Sequence, residues 1–152
     1  MKNIFYFVIL TTLAGCSTAN ISPLYIQDKH PYVKTIVSNY NKTLLITKKV
    51  LEIEGWKIVK EADPTVYEKG RELDVPNAKQ TLIFAQTFKK SWVGTGKLAQ
   101  INIYLRTIDE LNTEIEVRYL VVKNAVVTSF YGYRNDRLID TLIEKINQQL
   151  KK

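Results

Sequence analysis

Leu98-Ala99-Gln100-Ile101-Asn102-Ile103-Tyr104-Leu105-Arg106-Thr107 alternates without a break. On an extended chain, Ala99, Ile101, Ile103 and Leu105 fall on one side and Gln100, Asn102, Tyr104 and Arg106 on the other. Asp109-Glu110-Leu111-Asn112 then supplies a polar turn. From Thr113 to Val122 the pattern repeats, with Ile115, Val117, Tyr119 and Val121 set against Glu114, Glu116 and Arg118. Two such runs joined by a short turn predict an antiparallel hairpin with one covered and one wet face. Across it, Arg106 can face Glu114 or Glu116, a charge pair of modest worth.

Upstream, Gln80–Phe88 reads as a third strand, with Leu82, Phe84 and Phe88 on one side and Gln86 breaking the pattern. Residues 62–80 carry Asp63-Pro64, Gly70 and Pro76-Asn77 and read as a long connection with room for a short strand at Thr65–Tyr67. Before it, Trp56-Lys57-Ile58-Val59-Lys60 starts a strand. The stretch Asn41–Glu54 has helical spacing, with Asn41 as N-cap and with Leu44, Ile46, Thr47, Val50, Leu51 and Ile53 on one broad side. Gly55 follows where a left-handed residue would end that helix. Downstream, Ala125–Tyr131 is a candidate further strand, ended by Gly132. Leu138, Ile139, Leu142, Ile143, Ile146 and Leu150 recur at helical spacing in a final helix capped by Asn135 or Asp136. The expected class is therefore α+β. An antiparallel sheet of four to five strands carries two helices on one face, in the order α-β-β-β-β-α.

The start of the chain carries a different message. Met1-Lys2-Asn3 is basic and Ile4 to Leu10 is apolar, a run shorter than the roughly 20 residues a bilayer span needs. Leu13-Ala14-Gly15-Cys16 closes it with the sequence's only cysteine. This stretch resembles the lipobox of bacterial lipoproteins. The resemblance implies cleavage between Gly15 and Cys16 and a diacylglycerol on the Cys16 sulfur, with the membrane as partner through that anchor. Ser17, where the resembled class places Asp for inner-membrane retention, implies the outer membrane, facing the periplasm. The expected division is residues 1–15 signal, 16–39 lipidated N-terminus and tether, and 40–152 one domain. In the tether, Ile21, Leu24, Tyr25, Ile26, Tyr32, Val33, Ile36 and Val37 are numerous enough for part of it to lie on the domain or pair as an edge strand.

The chain has 152 residues and a formal net charge of +7, with the lysines dispersed and no block of like charge. Such a spread reads first as a solvated surface and second as one suited to anionic envelope partners, and an exported chain is in the wrong compartment for nucleic acid. Acylation of Cys16 leaves no thiol for a disulfide, so packing alone must hold the fold. His30 is the only histidine and lies in the tether. That removes Ser–His and Cys–His nucleophile pairs and leaves too few soft ligands for zinc. Gly94-Thr95-Gly96-Lys97 lacks the first glycine and the final hydroxyl of a phosphate loop and precedes a strand, so it reads as a hairpin loop. Glu114 and Glu116 share a strand face, and a glycosidase-type carboxylate pair is conceivable there. A charge-balanced strand face fits them better. No cofactor is expected.

One loop invites a binding role. Lys89-Lys90-Ser91-Trp92-Val93-Gly94-Thr95-Gly96-Lys97 joins an aromatic residue to three lysines at a sheet edge, and tryptophan is enriched at binding hot spots. Trp92, Lys89, Lys90 and Lys97 are its candidate interaction residues. The element order loosely resembles the helix-grip domains of BamC-type outer-membrane assembly lipoproteins, a likeness of order that assigns no residue a role. The expected function is a lipid-anchored envelope lipoprotein acting non-enzymatically as an accessory or assembly factor through contacts with an envelope protein. The alternative is a carrier holding a lipid or glycan, between the sheet and the helices or in the loop region.

Overall fold

The computed structural model describes residues 23–71, 78–90, 96–124 and 129–152. Element order is β1 (Tyr32–Val37), α1 (Tyr40–Ile53), β2 (Lys57–Ala62), a 3₁₀ turn (Pro64–Val66), β3 (Gln80–Lys90), β4 (Gly96–Thr107), β5 (Asn112–Asn124), β6 (Ser129–Gly132) and α2 (Asp136–Leu150). All pairings are antiparallel, in the order β2-β3-β4-β5, and β5 carries β1 along one half of its far edge and β6 along the other. The α+β class holds, and the sheet has six strands. The additional one is β1, from the segment with tether-like composition, and β6 occupies the end of the Ala125–Tyr131 candidate. Residues 125–128 lie outside the described residues.

The β4–β5 hairpin forms with the register its alternation implies, Ile103 opposite Val117 and Arg106 opposite Glu114. Asp109 closes the turn, its carboxylate accepting from the backbone N–H groups of Leu111 and Asn112 at 2.8 Å each. Ile83, Ala85, Ala99, Ile101, Ile103, Leu105, Ile115 and Val117 fill the main core. Both helices lie over it, contributing Tyr40, Val50 and Leu51 from α1 and Ile139, Leu142, Ile143 and Ile146 from α2. Lys42 donates to the Leu150 carbonyl at 2.8 Å and Lys145 meets Glu54 at 2.6 Å, so the helices run in broadly opposite senses.

Several details differ from the sequence reading. The N-cap of α1 is Asn39, whose side chain accepts from Lys42 N–H at 2.9 Å; Asn41 sits inside the first turn, exposed. The buried stripe of α1 is Tyr40, Thr43, Thr47, Val50 and Leu51, at three- and four-residue spacing, and it leaves Ile53 exposed. Gly55 takes the left-handed conformation, φ +77°, directly after the helix. Residues 64–66 form a 3₁₀ turn and not a strand, because Asp63 caps it through Thr65 N–H and Pro64 presets the backbone.

The larger correction concerns the face expected to be wet. Gln100, Asn102, Tyr104, Glu116 and Arg118 are all buried. Two segments that carry no strand pattern cover them. Ile26 packs on Leu120, Val122 and Leu98, while Tyr25 and Tyr67 pack on Leu82, Phe84 and Tyr104. Tyr25 and Tyr67 stack with ring centres 5.3 Å apart, and Tyr67 tilts against Phe84 at 5.0 Å. Asn102 fastens the N-terminal segment, accepting from Ile26 N–H at 2.6 Å and donating to the Leu24 carbonyl at 2.9 Å.

Candidate functional site

Two places concentrate polar side chains, one on each face of the sheet. Beneath the N-terminal segment lies a charge network. Glu116 and Arg118 are two residues apart on β5 and so share a face. Arg118 donates from Nε and Nη2 to Glu116 Oε1 at 2.8 and 2.5 Å. Arg71 reaches over from the β2–β3 connection and donates to Glu116 Oε2 at 2.9 Å. Glu68 accepts from both arginines and from the Tyr25 hydroxyl. The Arg71 guanidinium also lies 4.5 Å from the centre of the Tyr104 ring. Burial raises the Glu68 pKa, but its hydrogen bonds to Arg118 and Arg71 outweigh this and hold it below its usual range. The space left among these groups is about 10 Å³, no more than one water's worth. Each carboxylate is held by two arginines, which is the arrangement of a structural clasp.

This placement answers the question raised by Glu114 and Glu116. They do not act as a pair. Glu114 bonds Arg106 at 2.8 Å, and Glu116 belongs to the buried network. Tyr25, Glu68 and Arg71 went unrecognised in the sequence because each lies in a segment without periodicity. Only the spacing of Glu116 and Arg118 hinted at them.

On the opposite face a cleft of about 430 Å³ opens between the sheet and the ends of the two helices. That volume falls within the range of small-molecule sites. Ala99, Leu138 and Leu142 give it apolar walls. Trp56 and Tyr119 add two aromatic rings, and Glu54, Lys97, Asn135, Arg137 and Thr141 bring polar groups. The local folding explains the assembly. Gly55 turns the chain sharply after α1 and so places Trp56 at the sheet, 6 % exposed. Asn135 caps α2 by accepting from Leu138 N–H at 3.2 Å, which sets Arg137 and Leu138 in the first turn beside β4. Trp56 and Tyr119 are largely buried as residues, and neither the indole N–H nor the phenol is among the buried unpaired polar atoms of the described residues.

Of the interaction residues suggested by the sequence, Lys97 lines this cleft. Lys89 and Lys90 lie on β3, opposite Lys97 and Gly96 in register. Trp92 and Cys16 lie outside the described residues. His30 is exposed, its backbone N–H bonded to Asp28. No group of three or more metal-ligating side chains occurs among the described residues, nor does any described helix have the length and apolarity to cross a membrane.

No protein-family model matches the chain, and no curated protein matches it. A solved structure with partial likeness is the 4-hydroxybenzoyl CoA thioesterase from Pseudomonas sp. strain CBS-3. It is 9 % identical, with 72 % of this chain and 97 % of that chain covered and a TM-score of 0.14. A likeness of that size carries no argument about fold or activity.

Proposed function

We propose that this chain is a lipid-anchored protein of the bacterial cell envelope that works by binding and not by catalysis, with the cleft between sheet and helices as its working site. The cleft carries this reading: it has ligand size, apolar walls, two aromatic rings and a small set of polar side chains. A carrier of a lipid or glycan is the role it fits best. The other concentration of carboxylates, on the opposite face, is occupied by arginines, which favours a structural role over acid–base work.

The anchor belongs to the same proposal and rests on the Leu13–Cys16 stretch. Among the described residues, the first backbone group fastened to the sheet is the Leu24 carbonyl. From an acylated Cys16 the intervening chain reaches at most about 30 Å, so the domain would work close to the bilayer surface. Palmitate labelling of the wild type, abolished by Cys16→Ser with release from membranes, is the expected result. A Cys16→Ser form that stays membrane-bound would overturn the anchor.

For the cleft, native mass spectrometry of protein released from membranes should show a retained small molecule that a cleft-filling Thr141→Trp variant loses. A folded protein that carries none, and that takes up neither amphiphile nor oligosaccharide, would reject the carrier role. The second reading is an accessory or assembly factor acting through protein contacts, and one observation favours it. Among the described strands β2 pairs only with β3, leaving its outer edge and the exposed Val59 available to an added strand. Crosslinks to one envelope protein from Val59, with an empty cleft, would decide for that reading.

A further inference from the structure

Among the described residues that line the cleft, Lys97 and Arg137 are cations, and the carboxylate of Glu54 is bound to Lys145. Lys97 opposes Lys123 across the β4–β5 ladder and Lys89 across the β3–β4 ladder. Like charges directly opposite on neighbouring strands repel, and Lys97 and Lys123 form such a pair. By the pleat, Lys97 falls on the side of Ala99 and Ile101, and Lys123 on the side of Tyr119 and Val121, which is the helix side. Both are exposed, as is Arg137 on the first turn of α2. None of Lys97, Lys123 and Arg137 forms an ion pair among the described residues. The nearby acids are engaged elsewhere, Glu54 with Lys145 at 2.6 Å and Asp136 with Arg134 at 2.7 Å. Trp56 and Tyr119 add an indole N–H and a phenol to the lining, while Ala99, Leu138 and Leu142 offer only carbon.

From this arrangement we infer that the cleft takes an anionic amphiphile: an acyl or alkyl chain against Ala99, Leu138 and Leu142, and a phosphate or carboxylate head held by Lys97, Arg137 and the ring donors. The inference rests on the cleft reading above and narrows its ligand. A neutral sugar would leave Lys97 and Arg137 uncompensated. An acceptor-rich anionic head satisfies both cations, and charge-assisted bonds of this kind are the stronger ones.

The test uses the full chain carrying Cys16→Ser, so that its own acyl group cannot compete. Calorimetric titration with dodecyl phosphate, kept monomeric, should show one site per chain. Inorganic phosphate and dodecyl maltoside, each sharing one half of the probe, should bind at least about tenfold more weakly. Lys97→Glu with Arg137→Glu should lower dodecyl phosphate affinity by about tenfold or more with an unchanged melting temperature, since both side chains are exposed. Thr141→Trp, on an exposed helix position, should abolish binding. Vesicles of phosphatidylglycerol form a second arm: depletion of lipid from them assigns a membrane source, and binding of the monomer alone assigns a free amphiphile. Equal affinity for dodecyl maltoside would overturn the anionic preference while leaving a binding cleft. Binding that ignores the charge reversals would place the ligand elsewhere. A folded chain that binds neither amphiphile would remove the cleft reading as well.

Discussion

Glu116 and Arg106 sit on neighbouring strands and look alike in sequence, each one charge on an alternating run, yet they differ in energetic weight. The Glu116 side chain is 5 % exposed and shares its oxygens between two arginines. Glu116→Ala would leave Arg118 buried with only Glu68 to balance it, and removing one partner of a buried pair costs about 3–5 kcal/mol. Arg106→Ala breaks the half-exposed contact with Glu114 and should cost less than about 1 kcal/mol. Urea unfolding of the two variants checks the contrast; equal losses would show that the network is solvated. Thr47 offers the opposite sign. Its side chain is fully buried on the core side of α1, and its hydroxyl has no hydrogen-bond partner among the described residues. Thr47→Val keeps the shape and removes an unpaired polar atom, so it should raise stability by about 1 kcal/mol. A lower melting temperature for that variant would mean the hydroxyl is satisfied.

At the level of elements, the two covering segments on the second face hold by different means. The β2–β3 connection is held by charge through Glu68 and Arg71, whereas residues 24–26 are held by Asn102 and by the apolar seat of Ile26. Asn102→Ala removes both hydrogen bonds and leaves two backbone groups to find water. The segment should then lift from the sheet, and hydrogen exchange at the Ile26 amide should accelerate while amides inside β4 stay protected. Unchanged exchange at Ile26 would show that burial of its side chain alone suffices. If Cys16 carries the proposed acyl group, this segment would bear on function by limiting how far the domain stands from it. Undocked, it would let the domain stand further from the bilayer.

For the whole molecule, the clasp ties stability to pH. Glu68 has an ordinary value of 4.5 and is held below it in the folded state. A depressed carboxylate contributes stability that is fully present above its unfolded value and is lost as pH falls through the folded one. Thermal melts should therefore hold steady down to about pH 5 and drop below pH 4.5, and Glu68→Gln should flatten that drop while lowering the melting temperature at pH 7. An identical acid slope in the variant would assign it to other carboxylates. Local sequence was enough to specify the strands of the β4–β5 hairpin, the last helix, the Gly55 stop and hence the α+β class. Each of these depends on period, turn chemistry or a cap within a few residues. What packs on the second face was not legible, since Tyr25, Glu68 and Arg71 are far apart in the chain and in segments with no period. The cleft was equally hidden. Lys97, Tyr119 and Arg137 come from three separate elements and Trp56 from the turn after α1, and only the closing of the sheet under the helices brings an aromatic floor and two exposed cations to one place.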